Sequence, residues 1–76
     1  MKHIKRKFLA VIEKTRSGYS AFCPDLPGCV AAAKTKATCE RLLKAAIKFH
    51  LEGMLKEGLR LPKPTSYTTT VEIRAA

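Results

Sequence analysis

From Lys5 to Lys14 apolar side chains recur at the two-residue period of a β-strand. Phe8, Ala10 and Ile12 fall on one face, and Leu9, Val11 and Glu13 on the other. Apolar residues on both faces predict a central or doubly covered strand. Ser17-Gly18 marks a turn. Tyr19–Cys23 then alternates again, with Tyr19, Ala21 and Cys23 opposite Ser20 and Phe22. Two such runs joined by a short glycine-containing loop read as a hairpin. Pro24-Asp25-Leu26-Pro27-Gly28 follows. Its two prolines fix φ and withhold two backbone donors, so no ladder passes through it. Cys29–Ala33 is a short apolar run and reads as a third strand.

The period then changes. Cys39, Leu42, Leu43, Ala46, Ile47, His50, Leu51, Met54 and Leu55 recur at the spacing of one helical face. Thr35 or Thr38 suits the N-cap, and Gly58 followed by Pro62 forms the stop signal. The predicted helix runs from Lys36 to Glu57. Leu59–Ser66 carries Pro62 and Pro64 and reads as an extended loop. Tyr67–Arg74 is rich in threonine and alternates, with Val71 and Ile73 inward, which predicts a final strand. The order is β-β-β-α-β, an α+β sheet with one long helix on one face.

Length and charge narrow the picture. The chain of 76 residues is a single domain, 1–76, with no room for separate catalytic and cofactor domains. The hydrophobic fraction of 46% is enough for a core. The longest apolar run, Cys29–Ala33, is far short of the ~20 residues that span a bilayer. Phe8–Ile12 is too short for a signal-peptide core, so a cytoplasmic protein is expected. Fifteen Lys and Arg against six Asp and Glu give a net charge of +9. Such a balance suggests a polyanion, an acidic protein partner or a well-solvated surface. Cys23, Cys29 and Cys39 are odd in number and lack metal-ligand spacing, so they read as small buried hydrophobes, with a Cys23–Cys29 bridge across the intervening loop as the alternative under oxidation.

Candidate chemistry is sparse. Of the six carboxylates only Glu13 and Asp25 are placed where they could meet, which is too few for metal-dependent nuclease chemistry. His3 falls in the basic N-terminus beside Lys2, and His50 on the helix stripe. No catalytic residue, metal site or cofactor is expected. Arg41, Lys44 and Lys48 share one helix face and form a candidate phosphate-contacting stripe. Of the aromatic residues, Phe8, Tyr19, Phe22, Phe49 and Tyr67, most fall at core-like positions, unlike a base-stacking platform.

Two blocks of sequence carry a resemblance. Gly18-Tyr19-Ser20-Ala21-Phe22 and Pro24-Asp25-Leu26-Pro27-Gly28-Cys29-Val30-Ala31 resemble the GGYSAYVPDLPGCVA stretch of HicB-type antitoxins. Thr35, Ala46-Ile47 and His50-Leu51-Glu52-Gly53 resemble the helix of that family, and Leu61-Pro62-Lys63-Pro64 its IPxP segment. The resemblance spans about Phe8 to Ile73.

It implies a β-β-β-α-β fold described as a partly degraded RNase H fold. It implies an antitoxin that binds and blocks a small HicA-type mRNA-cleaving toxin. On that reading the partner contact uses sheet-edge and loop residues such as Tyr19, Phe22 and Asp25. Family members commonly self-associate, so a homo-oligomer is expected. Many add a C-terminal DNA-binding domain. This chain ends at Ala76, so operator binding is not expected of it alone. Typical members are acidic, whereas this chain has Ala37 and Thr38 where the family helix opens with acidic residues. The alternative expectation is a stand-alone nucleic-acid-binding module built on the same fold, using Arg41, Lys44 and Lys48.

Overall fold

The computed structural model describes residues 5–75, so Lys2 and His3 lie outside the described residues. Three strands precede one helix: β1 (Val11–Lys14), β2 (Tyr19–Phe22), β3 (Val30–Ala33) and α1 (Lys36–Lys56). The sheet is antiparallel in the order β1-β2-β3. Ile12, Ala21 and Ala31 lie opposite one another and face the helix. Val11, Phe22 and Val30 form the matching row on the other face.

The core is small. Ala21, Cys23, Leu26, Cys29, Cys39 and Leu43 are buried, and Phe8, Ile12, Tyr19, Ile47 and Leu51 pack around them. All three cysteines are buried free thiols and serve as compact apolar groups. The helix is fixed at both ends. Thr35 is the N-cap: its Oγ1 accepts the Thr38 N–H at 3.2 Å. At the other end Gly58 takes φ +72°, the Gly58 N–H bonds the Leu55 carbonyl, and the Leu59 N–H bonds the Met54 carbonyl. This Schellman closure satisfies the last carbonyls and turns the chain back toward the sheet.

The structure departs from the sequence pattern in three places. The first strand is shorter than Lys5–Lys14, because the register Val11↔Phe22 sets residues 5–10 opposite the Pro24–Pro27 loop, which offers no ladder. That strand is also an edge; β2 is the central one. Finally, Tyr67–Arg74 forms no strand: residues 67–75 pair with nothing and lie exposed. The alternation is present, but the segment makes no ladder with any strand. The fold observed is therefore β-β-β-α.

Helix and sheet differ in reach. Twenty-one helical residues span about 32 Å, while four strand residues span only about 13 Å. The C-terminal half of α1 overhangs the sheet. Apolar positions of that half, such as Leu55, therefore remain exposed although they match the helical period.

Candidate functional site

The loop after β2 is a closed structural unit. The Leu26 N–H bonds the Cys23 carbonyl at 3.1 Å, the Cys29 N–H bonds the Leu26 carbonyl at 3.1 Å, and the Cys23 N–H bonds the Cys29 carbonyl at 3.2 Å. Gly28 takes φ +91°, which only glycine adopts without strain. Leu26 plugs the loop into the core. Burial pushes the Cys29 thiol pKa up, and the neighbouring Cys23 pushes it the same way, so Cys29 stays a neutral thiol.

Asp25, at the tip of this loop, holds the segment that follows the helix. Its Oδ2 accepts the backbone N–H groups of Thr65 and Ser66, each at 3.1 Å. Its Oδ1 accepts the Thr65 hydroxyl at 2.9 Å and the Ser66 hydroxyl at 2.8 Å. The Ser66 bonds lead in drawing its pKa down from 3.8 to about 2, with Thr65 adding to them. A depressed carboxylate pKa means the latch is complete above the unfolded value and lost as pH falls through the folded one. The latch should therefore be intact above about pH 5 and open progressively between about pH 4 and 2. Asp25→Ala should open it at neutral pH. Amide exchange at Thr65 and Ser66 checks this: both should lose protection, while amides in the middle of α1 keep theirs.

The three residues expected to meet a partner do not form one cluster. Tyr19 lies on the helix-facing side of the sheet and packs on the core. Phe22 projects from the opposite face. Asp25 is saturated by its four bonds to Thr65 and Ser66. Glu13 and Asp25 lie toward opposite ends of the sheet and do not meet. Among the described residues no three His, Cys, Asp or Glu side chains gather to hold a metal ion.

The surface is distinguished instead by three regions. Val11, Phe22 and Val30 lie side by side across the outward face of the sheet, with Val30 65% exposed. A second apolar region is an open groove of about 500 Å³ between Gly28 and Cys29 and the overhanging helix, walled by Ala46, Phe49, His50 and Gly53. Gly28 and Cys29 belong to the first resemblance block and His50 and Gly53 to the second, so both blocks converge here. Phe49, missed by residue-type reasoning, is 80% exposed. Its signal was its offset from the apolar stripe. The third region is basic: Arg41, Lys44 and Lys48 are all exposed along one flank of α1, where Lys44 borders a groove beside Phe8 and Ala10.

Together these features define a class, a small α+β sheet-and-helix module with apolar and basic surface. Comparison with known proteins makes the class specific. Residues 8–74 match the family described as the HicB-like antitoxin of bacterial toxin-antitoxin systems, and the chain belongs to that family. It is 40% identical over 68 residues to a UPF0150 protein of Helicobacter pylori, covering 88% of this chain and 94% of that one. An uncharacterized 14.9 kDa protein in the rep-hol intergenic region of Haemophilus phage HP1 is 46% identical over 52 residues. That match covers 68% of this chain and 39% of the phage protein. Among solved structures, a chain of a HicA3 and HicB3 toxin-antitoxin complex is similar with a TM-score of 0.59 and 34% identity. The likeness covers 74% of this chain and 65% of that one. No helix among the described residues is long and apolar enough to cross a membrane.

Proposed function

We propose that the chain is a cytoplasmic antitoxin that binds a small HicA-type mRNA-cleaving toxin and neutralises it by direct protein–protein contact, with no catalysis or cofactor of its own. The observation that carries this reading is the 34% identity, at a TM-score of 0.59, to a chain of a toxin-antitoxin complex. The contact is assigned to the outward sheet face around Phe22, flanked by Val11 and Val30. Tyr19 supports that row from beneath, and Asp25 fixes the loop at its end.

Charge is compatible with this placement. Arg41 and Lys48 lie beyond both the sheet and the helix from Phe22, a separation of more than about 10 Å. That exceeds the screening length of about 8 Å at physiological salt, so a basic toxin can dock on the neutral face.

The test is co-expression and binding with the toxin encoded beside this chain. Phe22→Asp should weaken binding by roughly 30-fold or more and abolish growth rescue, with the helical circular dichroism unchanged. Full rescue by that variant would move the contact off this face. Failure of the natural chain to bind or rescue would overturn the antitoxin reading itself.

A second reading is favoured by the shared exposure of Arg41, Lys44 and Lys48 along one flank of α1. On this reading the module contacts nucleic-acid phosphates. Duplex affinity should then fall with a log–log salt slope near −3, about −0.9 for each phosphate neutralised. Binding without salt dependence, or unchanged in the Lys44→Gln/Lys48→Gln variant, would remove it.

A further inference from the structure

Residues 59–66 form a strap that crosses from the overhanging end of α1 to the loop after β2. It is held at three points. The Leu59 N–H bonds the Met54 carbonyl at 2.9 Å, Leu61 is buried, and Asp25 takes Thr65 and Ser66 through its four bonds. Between these anchors Pro62 and Pro64 fix their own φ and bias the residues before them, Leu61 and Lys63, toward extended backbone. With Leu61 turned inward, Arg60 and Lys63 are left exposed.

The strap brings those two cations to a third. Residues 5–10 run opposite the Pro24–Pro27 loop, which places Arg6 at the same end of the sheet as Asp25. Arg6, Arg60, Leu61, Pro62 and Lys63 line one open groove of about 640 Å³, and no carboxylate lines it. The Arg6 guanidinium donates through Nη1 to the Lys5 carbonyl at 3.3 Å, a contact that uses one corner of its donor fork. Like charges gathered on one groove repel. Here the anchors of the strap hold them together, so the groove is preorganised for an anion. A single carboxylate does not offset three cations, whereas an oligophosphate does. Two guanidinium forks and an ammonium also match the oxygens of phosphate groups.

We propose that the groove between Arg6 and the Arg60–Lys63 strap binds a compact oligophosphate, the group carried by nucleoside di- and triphosphates and by short inorganic polyphosphates. Arg6 meets it from one wall, Arg60 and Lys63 meet it from the other, and Leu61 with Pro62 supplies an apolar surface between them. A long phosphate chain fits less well, because the adjoining groove beyond Arg6 includes Glu40, whose charge interrupts such a track. The site is separate from the Arg41, Lys44 and Lys48 flank, none of which lines it. Neither the toxin contact nor the duplex reading uses these residues, so the inference stands or falls apart from both.

Calorimetric titration of the full chain with inorganic tripolyphosphate tests this. Binding should be one to one and should weaken as salt rises. Arg60→Gln/Lys63→Gln should weaken it by at least about tenfold. Lys34→Gln/Lys36→Gln removes the same charge at the opposite end of α1 from the strap and should change affinity by less than about twofold. All four side chains are exposed, so both variants keep their fold, which equal helical circular dichroism checks. Asp25→Ala tests the strap. It removes a negative charge, which by charge alone tightens anion binding, yet releasing the strap should weaken binding by about threefold or more. A nucleoside triphosphate in place of tripolyphosphate identifies the source, and both results support the proposal. Tighter binding means that Leu61 and Pro62 receive the base, and equal binding means that the phosphates alone are read. Absence of tripolyphosphate binding overturns the proposal, as does equal weakening in the two double variants, the signature of net charge alone. Tighter binding to Asp25→Ala overturns the held strap as its basis. Polyglutamate binding as tightly as tripolyphosphate would mark a contact for an acidic protein and overturn the phosphate assignment.

Discussion

Replacing Leu43 by alanine is expected to remove roughly half of the protein's stability. Leu43 is 1% exposed and is the largest fully buried side chain among the described residues. It lies in the cluster that joins α1 to the sheet, with Cys39 one turn earlier on the same face. Leucine-to-alanine changes at such sites cost about 2–5 kcal/mol, the upper end where the cavity cannot collapse. Collapse is difficult here because the facing residues, Ala21 and Ala31, are already small. A domain of this length has about 4–11 kcal/mol in total. Urea denaturation checks the prediction: the midpoint should fall by roughly half or more, with little change in slope.

Gly18→Ala is expected to have the second-largest effect, about 1–3 kcal/mol. The glycine is not required by a left-handed backbone. A Cβ at this position would run into the Ala33 carbonyl oxygen and crowd the Lys34 Cα, and neither backbone atom can rotate away. Gly18 also closes the hairpin, its carbonyl accepting the Thr15 N–H at 2.8 Å and its own N–H bonding Thr15 Oγ1 at 3.1 Å. The added methyl therefore pushes the β1–β2 turn away from the end of β3. A drop in thermal midpoint of several degrees should follow. Gly53→Ala provides the contrast. Its site is open and helical, so the same change should be neutral or stabilising.

Much of this architecture was legible in the residues because local rules and tertiary demand agree there. The Lys36–Lys56 helix is written in its 3–4 spacing, its Thr35 cap and its Gly58 stop. The hairpin and third strand follow from alternation broken by Ser17-Gly18 and the two prolines. What periodicity does not encode is how many layers exist to cover an apolar face. Leu9 and Val11 read as a second covered face of the first strand, yet the described residues supply no second layer over the row of Val11, Phe22 and Val30. For the same reason Tyr67–Arg74 reads as a strand, although a ladder needs a neighbour that alternation cannot supply.

The site was less legible than the fold. Asp25 carried the signature of an available loop carboxylate. The residues that occupy it, Thr65 and Ser66, lie 40 and 41 positions away. Tyr19 and Phe22 are three apart in a strand, and an odd offset places them on opposite faces. Phe49 drew no attention as an off-stripe helical residue, but the overhang of α1 makes it a wall of the groove. Three of the fifteen basic side chains, Arg41, Lys44 and Lys48, lie on the helix, across the sheet from Phe22. The Arg41, Lys44 and Lys48 flank points away from the neutral sheet face, so the two can serve separate contacts.

The Asp25 latch also orders the events of folding. The β1–β2 hairpin closes over a few residues and α1 grows from its own cap, so both form early and locally. The latch joins positions 40 apart and must wait until the loop and helix are already placed, because closing so long a loop forfeits chain entropy before any bond is gained. It is therefore the last closure to form and the first to reopen. The segment beyond Ser66 can come free while the sheet and helix remain intact.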